Sequence, residues 1–232
     1  DAGRLGYAND IYTTLAGFGL APDSKILDIA CGTGLGGGPL IDNNYDVTGV
    51  DISAPMLERA RRLYPQGRFV EGSALSLPFE AERFGVVLSA QAFHHFDRAV
   101  AMREALRVLR PGGTVAIWWK YLMSDDPVKI AHDEAARDLG VEPPYSGLTG
   151  GFKEFYAAPL RDHSLRVIPW RASQPLSKYM QYERSRASVR AAFGVKADDY
   201  FSALERRLHE RSGDGDPVLS LSYMHYAYLG KK

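Results

Sequence analysis

Five short apolar runs, each followed by a turn or a helical stretch, punctuate the first 120 residues and constrain the fold more than any other feature. Lys25–Cys31 (KILDIAC), Asp46–Ile52 (DVTGVDI), Arg68–Glu71, Phe84–Ala90 (FGVVLSA) and Thr114–Lys120 (TVAIWWK) read as strands. Near-continuous apolar runs suit strands covered on both faces, as in a parallel sheet. Between them, Ala54–Leu63 follows Ser53 as N-cap and carries Pro55 in its first turn. Ala99–Leu109 shows one apolar face before Pro111-Gly112-Gly113 ends it. Strand and helix alternating in this way imply an α/β, doubly wound sheet with right-handed crossovers.

The pattern changes after Tyr121. Asp125–Leu139 and Pro175–Leu208 read mainly as helices, and Ser164–Trp170 as a strand. Val218–Leu229 (VLSLSYMHYAYL) reads as a last strand, entered through the turn Gly213–Pro217. The expected organisation is a core of residues 1–120 and 214–232, with 121–213 as a mainly helical substrate lid holding one core strand near 164–170. Lys plus Arg and Asp plus Glu balance at 28 each, so the basic footprint of a nucleic-acid-binding protein is missing. A small molecule is the expected partner, with no nucleic acid and no membrane, for a monomer or homodimer. Cys31 is the only cysteine, no apolar run nears a membrane span, and no signal-peptide pattern opens the chain. These features point to the cytoplasm; the opening Asp1 in place of Met fits a trimmed start.

Chemistry concentrates where the first strand ends, at Asp28-Ile29-Ala30-Cys31-Gly32-Thr33-Gly34. The glycines let backbone approach a ligand, and the carboxyl ends of strands are where open α/β sheets bind one. The following helix is expected to turn its N–H groups toward an anionic group. Gly32-Thr33-Gly34-Leu35-Gly36-Gly37 also matches the dinucleotide pattern G-x-G-x-x-G literally. Asp28 separates the two readings. An acid at the base of the loop suits an ammonium, directly or through a water, and does not suit a pyrophosphate. The ligand this favours is an amino-acid tail. Asp51 ends the second strand, where a carboxylate can accept a pair of ribose hydroxyls. Ile52 and Met56 follow as apolar surface for an adenine.

With these residues in hand, the chain resembles the class I S-adenosylmethionine-dependent methyltransferases that act on small molecules. Ile26–Gly34 is similar to their LDIGCGTG-like first motif and Val50-Asp51-Ile52-Ser53 to their second. Leu77-Pro78-Phe79 resembles the LPF after strand three, and Leu106–Gly113 (LRVLRPGG) the RVLKPGG turn before strand five. The resemblance implies a mostly parallel seven-stranded sheet with an antiparallel last strand, and S-adenosyl-L-methionine as cofactor. It implies that Asp28, Ala30, Gly32 and Gly34 hold the methionine portion, Asp51 the ribose, and Ser73 and Ala74 the adenine edge. Ser73 stands where the family usually has Asp, and Gly85 replaces the Asp of its fourth strand. The breakers Gly36-Gly37-Gly38-Pro39 predict a late-starting, mobile first helix. Gly3–Tyr7 and Ala116–Tyr121 also resemble segments of trans-aconitate-methyltransferase-like members, which adds Tyr7 to the cofactor residues.

Ser89–Phe96 (SAQAFHHF) follows the fourth strand, which in this fold lies beside the sulfonium. Gln91 is expected to line the cofactor pocket, with Phe93 or Phe96 walling the substrate side. Methyl transfer needs alignment and exclusion of water, and a base only for a protonated nucleophile. His95 is the candidate base, ahead of His94. Adjacent side chains are expected to point apart, so at most one faces the pocket. The alternative is a structural pair, with one imidazole bonding backbone to hold the loop. An oxygen acceptor, carboxylate or hydroxyl, is favoured, with Arg171, Arg184 or Arg186 as a carboxylate clamp. No metal site is expected, since His132-Asp133-Glu134 is no ligand face. Two alternatives stand beside this reading. A nicotinamide-dependent reductase predicts a Tyr-x-x-x-Lys pair in a later helix, and no such pair is expected in this chain. A non-catalytic S-adenosylmethionine-binding protein is motivated by Ser73, Gly85 and the glycine run.

Overall fold

The computed structural model describes residues 3–143 and 152–232. Seven strands form one sheet: β1 (Lys25–Ile29), β2 (Asp46–Asp51), β3 (Arg68–Glu71), β4 (Phe84–Ala90), β5 (Leu109–Leu122), β6 (Arg161–Pro175) and β7 (Val218–Lys231). Their order is β3-β2-β1-β4-β5-β7-β6. The first five pair in parallel, with Ile26 opposite both Val47 and Val86. Chain order reverses between β1 and β4, which makes the carboxyl ends of β1 and β4 a topological switch point. β7 runs antiparallel to both neighbours. Gly112 N–H donates to Lys232 O while Met123 N–H donates to Ser222 O, and Leu176 N–H donates to Pro217 O. The fold class expected from the sequence is the one observed.

Nine helices accompany the sheet among the described residues: α1 (Asn9–Gly17), α2 (Gly38–Asp42), α3 (Ala54–Leu63), α4 (Arg98–Val108), α5 (Pro127–Asp138), α6 (Lys153–Ala157), α7 (Leu176–Ser185), α8 (Ala187–Phe193) and α9 (Ala197–Ser212). Several boundaries differ from the sequence expectation for local reasons. The stretch 175–208 is three helices, because the chain turns extended at Arg186 and takes a φ of 52° at Gly194. Pro111-Gly112-Gly113 is no free turn. It is a bulge within β5, where register jumps from Phe84↔Leu109 to Val86↔Thr114, and Gly112 and Gly113 pair with Lys232. Ser53 occupies the N-cap of α3 without a side-chain cap bond, and its own N–H is taken by Asp51 instead.

The chain divides into two compact units. One comprises Gly6–Lys120, Gly151–Ile168 and His225–Lys232, and contains every residue named above for cofactor or base. Ile26, Leu27, Ile29, Val86, Leu88 and Trp118 are its fully enclosed centre. The other comprises Asp1–Leu5, Tyr121–Gly150 and Pro169–Met224. It packs Ala131, Ala135, Tyr179, Tyr200, Phe201 and Leu204 into a separate core. Asp1 and, within the expected lid, residues 144–151 lie outside the described residues.

Candidate functional site

β1 and β4 lie side by side, and each is followed by a residue in the left-handed region. Ala30 has φ 54° and Gln91 φ 59°, a conformation that costs a side-chain-bearing residue about 1–2 kcal/mol. Strain of this kind collects at functional sites. Gln91 is held there by pairing with β5: its side-chain amide donates to Lys120 O at 3.0 Å and accepts from Lys120 N–H at 2.7 Å. Both amide atoms thus extend the β4–β5 ladder. After Ala30, Gly32 (φ 54°) and Gly34 (φ 86°) carry the loop around the end of β1.

Asp28 sits beneath this loop, 1 % exposed. Its Oδ2 accepts from Gly37 N–H at 2.9 Å, while its Oδ1 has no partner. Burial pushes its carboxyl up to about 8 against that one hydrogen bond, with Asp51 adding a smaller push. A buried acceptor left open, in a group poised to ionise when a cation arrives, fits an ammonium at this position.

The glycine run has a steric reason. A Cβ on Gly36 would lie 2.9 Å from Ala90 Cβ and 3.2 Å from Asp28 Oδ2, and one on Gly37 3.1 Å from the same oxygen. A Cβ on Gly38 would enter the Tyr64 ring. Backbone without side chains is what can pass over the carboxylate here. The helix does start late, at Gly38, and lasts five residues. It departs from expectation in where its N–H groups go. Gly37 N–H serves Asp28, Gly38 N–H serves Gly34 O, Gly34 N–H serves Cys31 O, and Gly32 N–H donates to Asp51 Oδ2 at 2.8 Å.

Asp51 accepts from Gly32 and Ser53 N–H groups, one on each oxygen, so it fastens the loop to the end of β2. Each oxygen keeps lone-pair capacity for a hydroxyl. Beside it Ile52 is 74 % and Met56 48 % exposed, apolar side chains left in solvent next to a polar clamp. Ser73 Oγ accepts from Leu75 N–H in a short turn, and Ala74 is buried. Tyr7 is buried with its ring edge-on to Trp118 at 5.7 Å, and Lys120 Nζ stands 5.4 Å from the Tyr7 centroid.

Sequence reasoning missed five contributors. Tyr12 donates its hydroxyl to Gly36 O at 2.9 Å, and Tyr64 covers Gly34 and Gly38. Arg107 donates to the carbonyls of Leu77 and Phe79 while Glu104 accepts from Leu77 N–H, which clamps the LPF segment to α4. Trp119 Nε1–H donates to His94 Nδ1 at 2.9 Å. Apart from Arg107, which falls within the RVLKPGG-like motif, these residues lie far in sequence from what they support, and no local pattern marks them.

His94 and His95 do not point apart. They share a 3-10 turn, Phe93–His95, with ring centroids 3.9 Å from each other. His95 is exposed. His94 is pushed down to about 4 by burial first, then by His95 and Arg98. Cys31 is buried, and burial drives its thiol upward, away from a reactive thiolate. Of the arginines proposed as clamps, Arg184 is paired with Glu205 and Arg186 with Glu183. His132 is enclosed between the hydroxyls of Tyr179 and Tyr200. Among the described residues no cluster of three metal-ligating side chains occurs. Against the expectation, one Tyr-x-x-x-Lys spacing does exist, but Tyr228 lies on β7 and Lys232 just past its end, not on a helix, and Lys232 Nζ donates to Leu109 O.

Residues 27–117 match the methyltransferase domain family, "Methyltransferase domain" by its description. The demethylmenaquinone methyltransferase of Beutenbergia cavernae is 37% identical over 105 residues, 45% of this chain and 44% of that protein. The 2-methyl-6-phytyl-1,4-hydroquinone methyltransferase of Synechocystis sp. is 36% identical over 163 residues, 65% of this chain and 51% of its own length. The chain thus spans about half the length, or less, of these curated relatives. A protein from Anaeromyxobacter dehalogenans assigned to the type II methyltransferases shares the fold across 98% of this chain and 97% of its own, with a TM-score of 0.75 at 20% identity. Residues 27–117 are thus similar to a methyltransferase domain, and the chain shares the fold of a solved methyltransferase along nearly its whole length.

Proposed function

We propose that this protein binds S-adenosyl-L-methionine in the first unit and transfers its methyl group to a small-molecule acceptor, through a carboxylate or hydroxyl oxygen. The observation that carries the reading is the enclosed Asp28 carboxyl with one open oxygen at the base of the glycine loop. Asp28 holds the ammonium, Asp51 the ribose hydroxyls, Ile52 and Met56 the faces of the adenine, and Ser73 and Ala74 its edge. Ala30, Gly32 and Gly34 shape the backbone around the amino-acid tail, and Tyr7 and Gln91 border the cofactor. When bound, the cofactor supplies an electrophilic methyl on a sulfonium, open to in-line displacement. The protein's own task is then alignment and exclusion of water. An ionised carboxylate acceptor needs no base; for a hydroxyl acceptor, exposed His95 is the group able to take the proton.

Two relatives carry quinone or hydroquinone substrates in their names, which supports an oxygen-bearing small molecule as acceptor. Calorimetric titration with S-adenosylmethionine, S-adenosylhomocysteine and NADH tests the proposal. Binding of both sulfur ligands and not of NADH is expected. Tight NADH binding without sulfonium binding would establish a nicotinamide enzyme instead. Cofactor binding with no methyl transfer to any acid, phenol or hydroquinone screened would leave a binding protein.

A further inference from the structure

The His94–Trp119 contact defines a group that the cofactor reading does not use. An indole N–H only donates, so the His94 Nδ1 it points to must accept and carry no proton. A neutral His94 therefore holds its proton on Nε2. Adding a second proton would set N–H against N–H across 2.9 Å. The surroundings oppose that charge as well. His95 is stacked against the ring, and Arg98 of α4 faces it, with Glu154 of α6 on Arg98 at 3.5 Å. Trp119 is itself fixed, 4 % exposed and packed edge-on against Phe152 and Tyr228. The turn is rigid beneath the ring, because Phe93 is buried and Gln91 is tied to Lys120. His94 is exposed and lies just beyond the carboxyl end of β4, at the same end of the sheet as the glycine loop and Asp51.

We infer that His94 is a specificity-determining hydrogen-bond donor: its Nε2–H receives a carboxylate or carbonyl oxygen of the methyl acceptor and excludes it from the role of base. The inference rests on the methyltransferase reading and names the acceptor's chemistry at that site. A neutral donor of fixed tautomer orients an oxygen at any pH where the enzyme works, without placing a positive charge beside the cofactor's sulfonium. It also selects against acceptors that would present a donor, such as an ammonium, at the same point.

The test uses 15N-histidine-labelled full chain and needs no variant for its first part. His94 should show a protonated Nε2 and a bare Nδ1, with shifts constant from pH 5.5 to 8. A protonated Nδ1, or a ring titrating in that range, would overturn the inference. With S-adenosylhomocysteine present, benzoate should move the His94 Nε2–H resonance, and benzylamine should not. His94→Phe should weaken benzoate about tenfold, while His94→Gln, which restores an N–H, should recover most of the loss. No response to benzoate, or equal losses in both variants, would also overturn it. Calorimetric binding of S-adenosylhomocysteine reports separately on the methyltransferase reading, so failure of one is told apart from failure of the other.

Discussion

Cofactor affinity should depend on pH through Asp28, with a size set by its burial. In the ligand-free protein its carboxyl is pushed up to about 8 by desolvation. At pH 7 roughly nine molecules in ten then carry the proton, by the ordinary titration relation. An ammonium favours the carboxylate, so binding must expel that proton. Binding therefore weakens about fivefold from pH 8 to pH 7 and nearly tenfold more by pH 6, roughly a fiftyfold loss in all. Above about 8 the ligand's own α-amino group loses its charge, and affinity falls again. The expected profile rises to a maximum near pH 8 and then declines. Calorimetry in phosphate and in Tris, buffers of unlike ionisation enthalpy, should count about 0.9 protons released per ligand at pH 7, following the same titration. Asp28→Asn should abolish both slope and proton release, and bind more weakly at pH 8. Flat affinity between pH 6 and 8 with no proton released would refute the reasoning, since Asp28 would then be ionised beforehand or never meet the ammonium.

Other outcomes follow from the same geometry. Asp51→Ala should weaken cofactor binding by about 1–3 kcal/mol in calorimetry, as ribose hydroxyls lose their acceptor and the Gly32 and Ser53 N–H groups are released. Ala30→Gly should raise stability to urea by up to about 1 kcal/mol, the relief at φ 54° being partly offset by glycine's greater unfolded freedom. Gly36→Ala should cost about 1–3 kcal/mol in the same assay, because its Cβ would stand 2.9 Å from Ala90 Cβ. Stability itself should peak near pH 6.5. His94 and His225 are lowered to about 4 and His132 to about 3, mainly by burial, so below about 6.5 the unfolded chain takes protons the fold refuses. Asp28, raised to about 8, acts the other way and erodes stability as pH rises toward 8. A urea midpoint still rising from pH 6.5 to 8 would contradict that assignment.

The strands were legible because their apolar runs sit in a sheet covered on both faces, where burial and β propensity agree. Asp28 and Asp51 stood out as acids near strand ends beside a glycine loop, and both carboxylates do accept backbone N–H groups of that loop or its flank. What escaped the sequence was long-range. Nothing near Gln91 announces that its amide completes a ladder with Lys120, and nothing near His94 announces Trp119. The stretch 175–208 carried helical periodicity throughout, and periodicity does not register a single extended residue such as Arg186. Ser53 looked like a cap by residue type, and it holds that position, but its hydroxyl makes no cap bond and its N–H donates to the Asp51 carboxylate two residues earlier.

The donors and acceptors around the loop also bear on the choice that its glycines left open. A dinucleotide pyrophosphate needs backbone N–H groups aimed outward at a helix start. Here the N–H groups of Gly32, Gly34, Gly37 and Gly38 all bond within the chain, two of them to carboxylates. The five-residue α2 contributes little dipole. Against this stand two acids, one with an open buried oxygen and one with lone pairs to spare. Such a site is rich in acceptors and poor in donors, so it favours a ligand that brings an ammonium and hydroxyls over one that brings phosphates. The glycine run belongs to the same logic. By letting backbone cross directly over Asp28 it keeps water out of the carboxyl's surroundings, and that burial is what makes the carboxyl wait for a cation before it ionises.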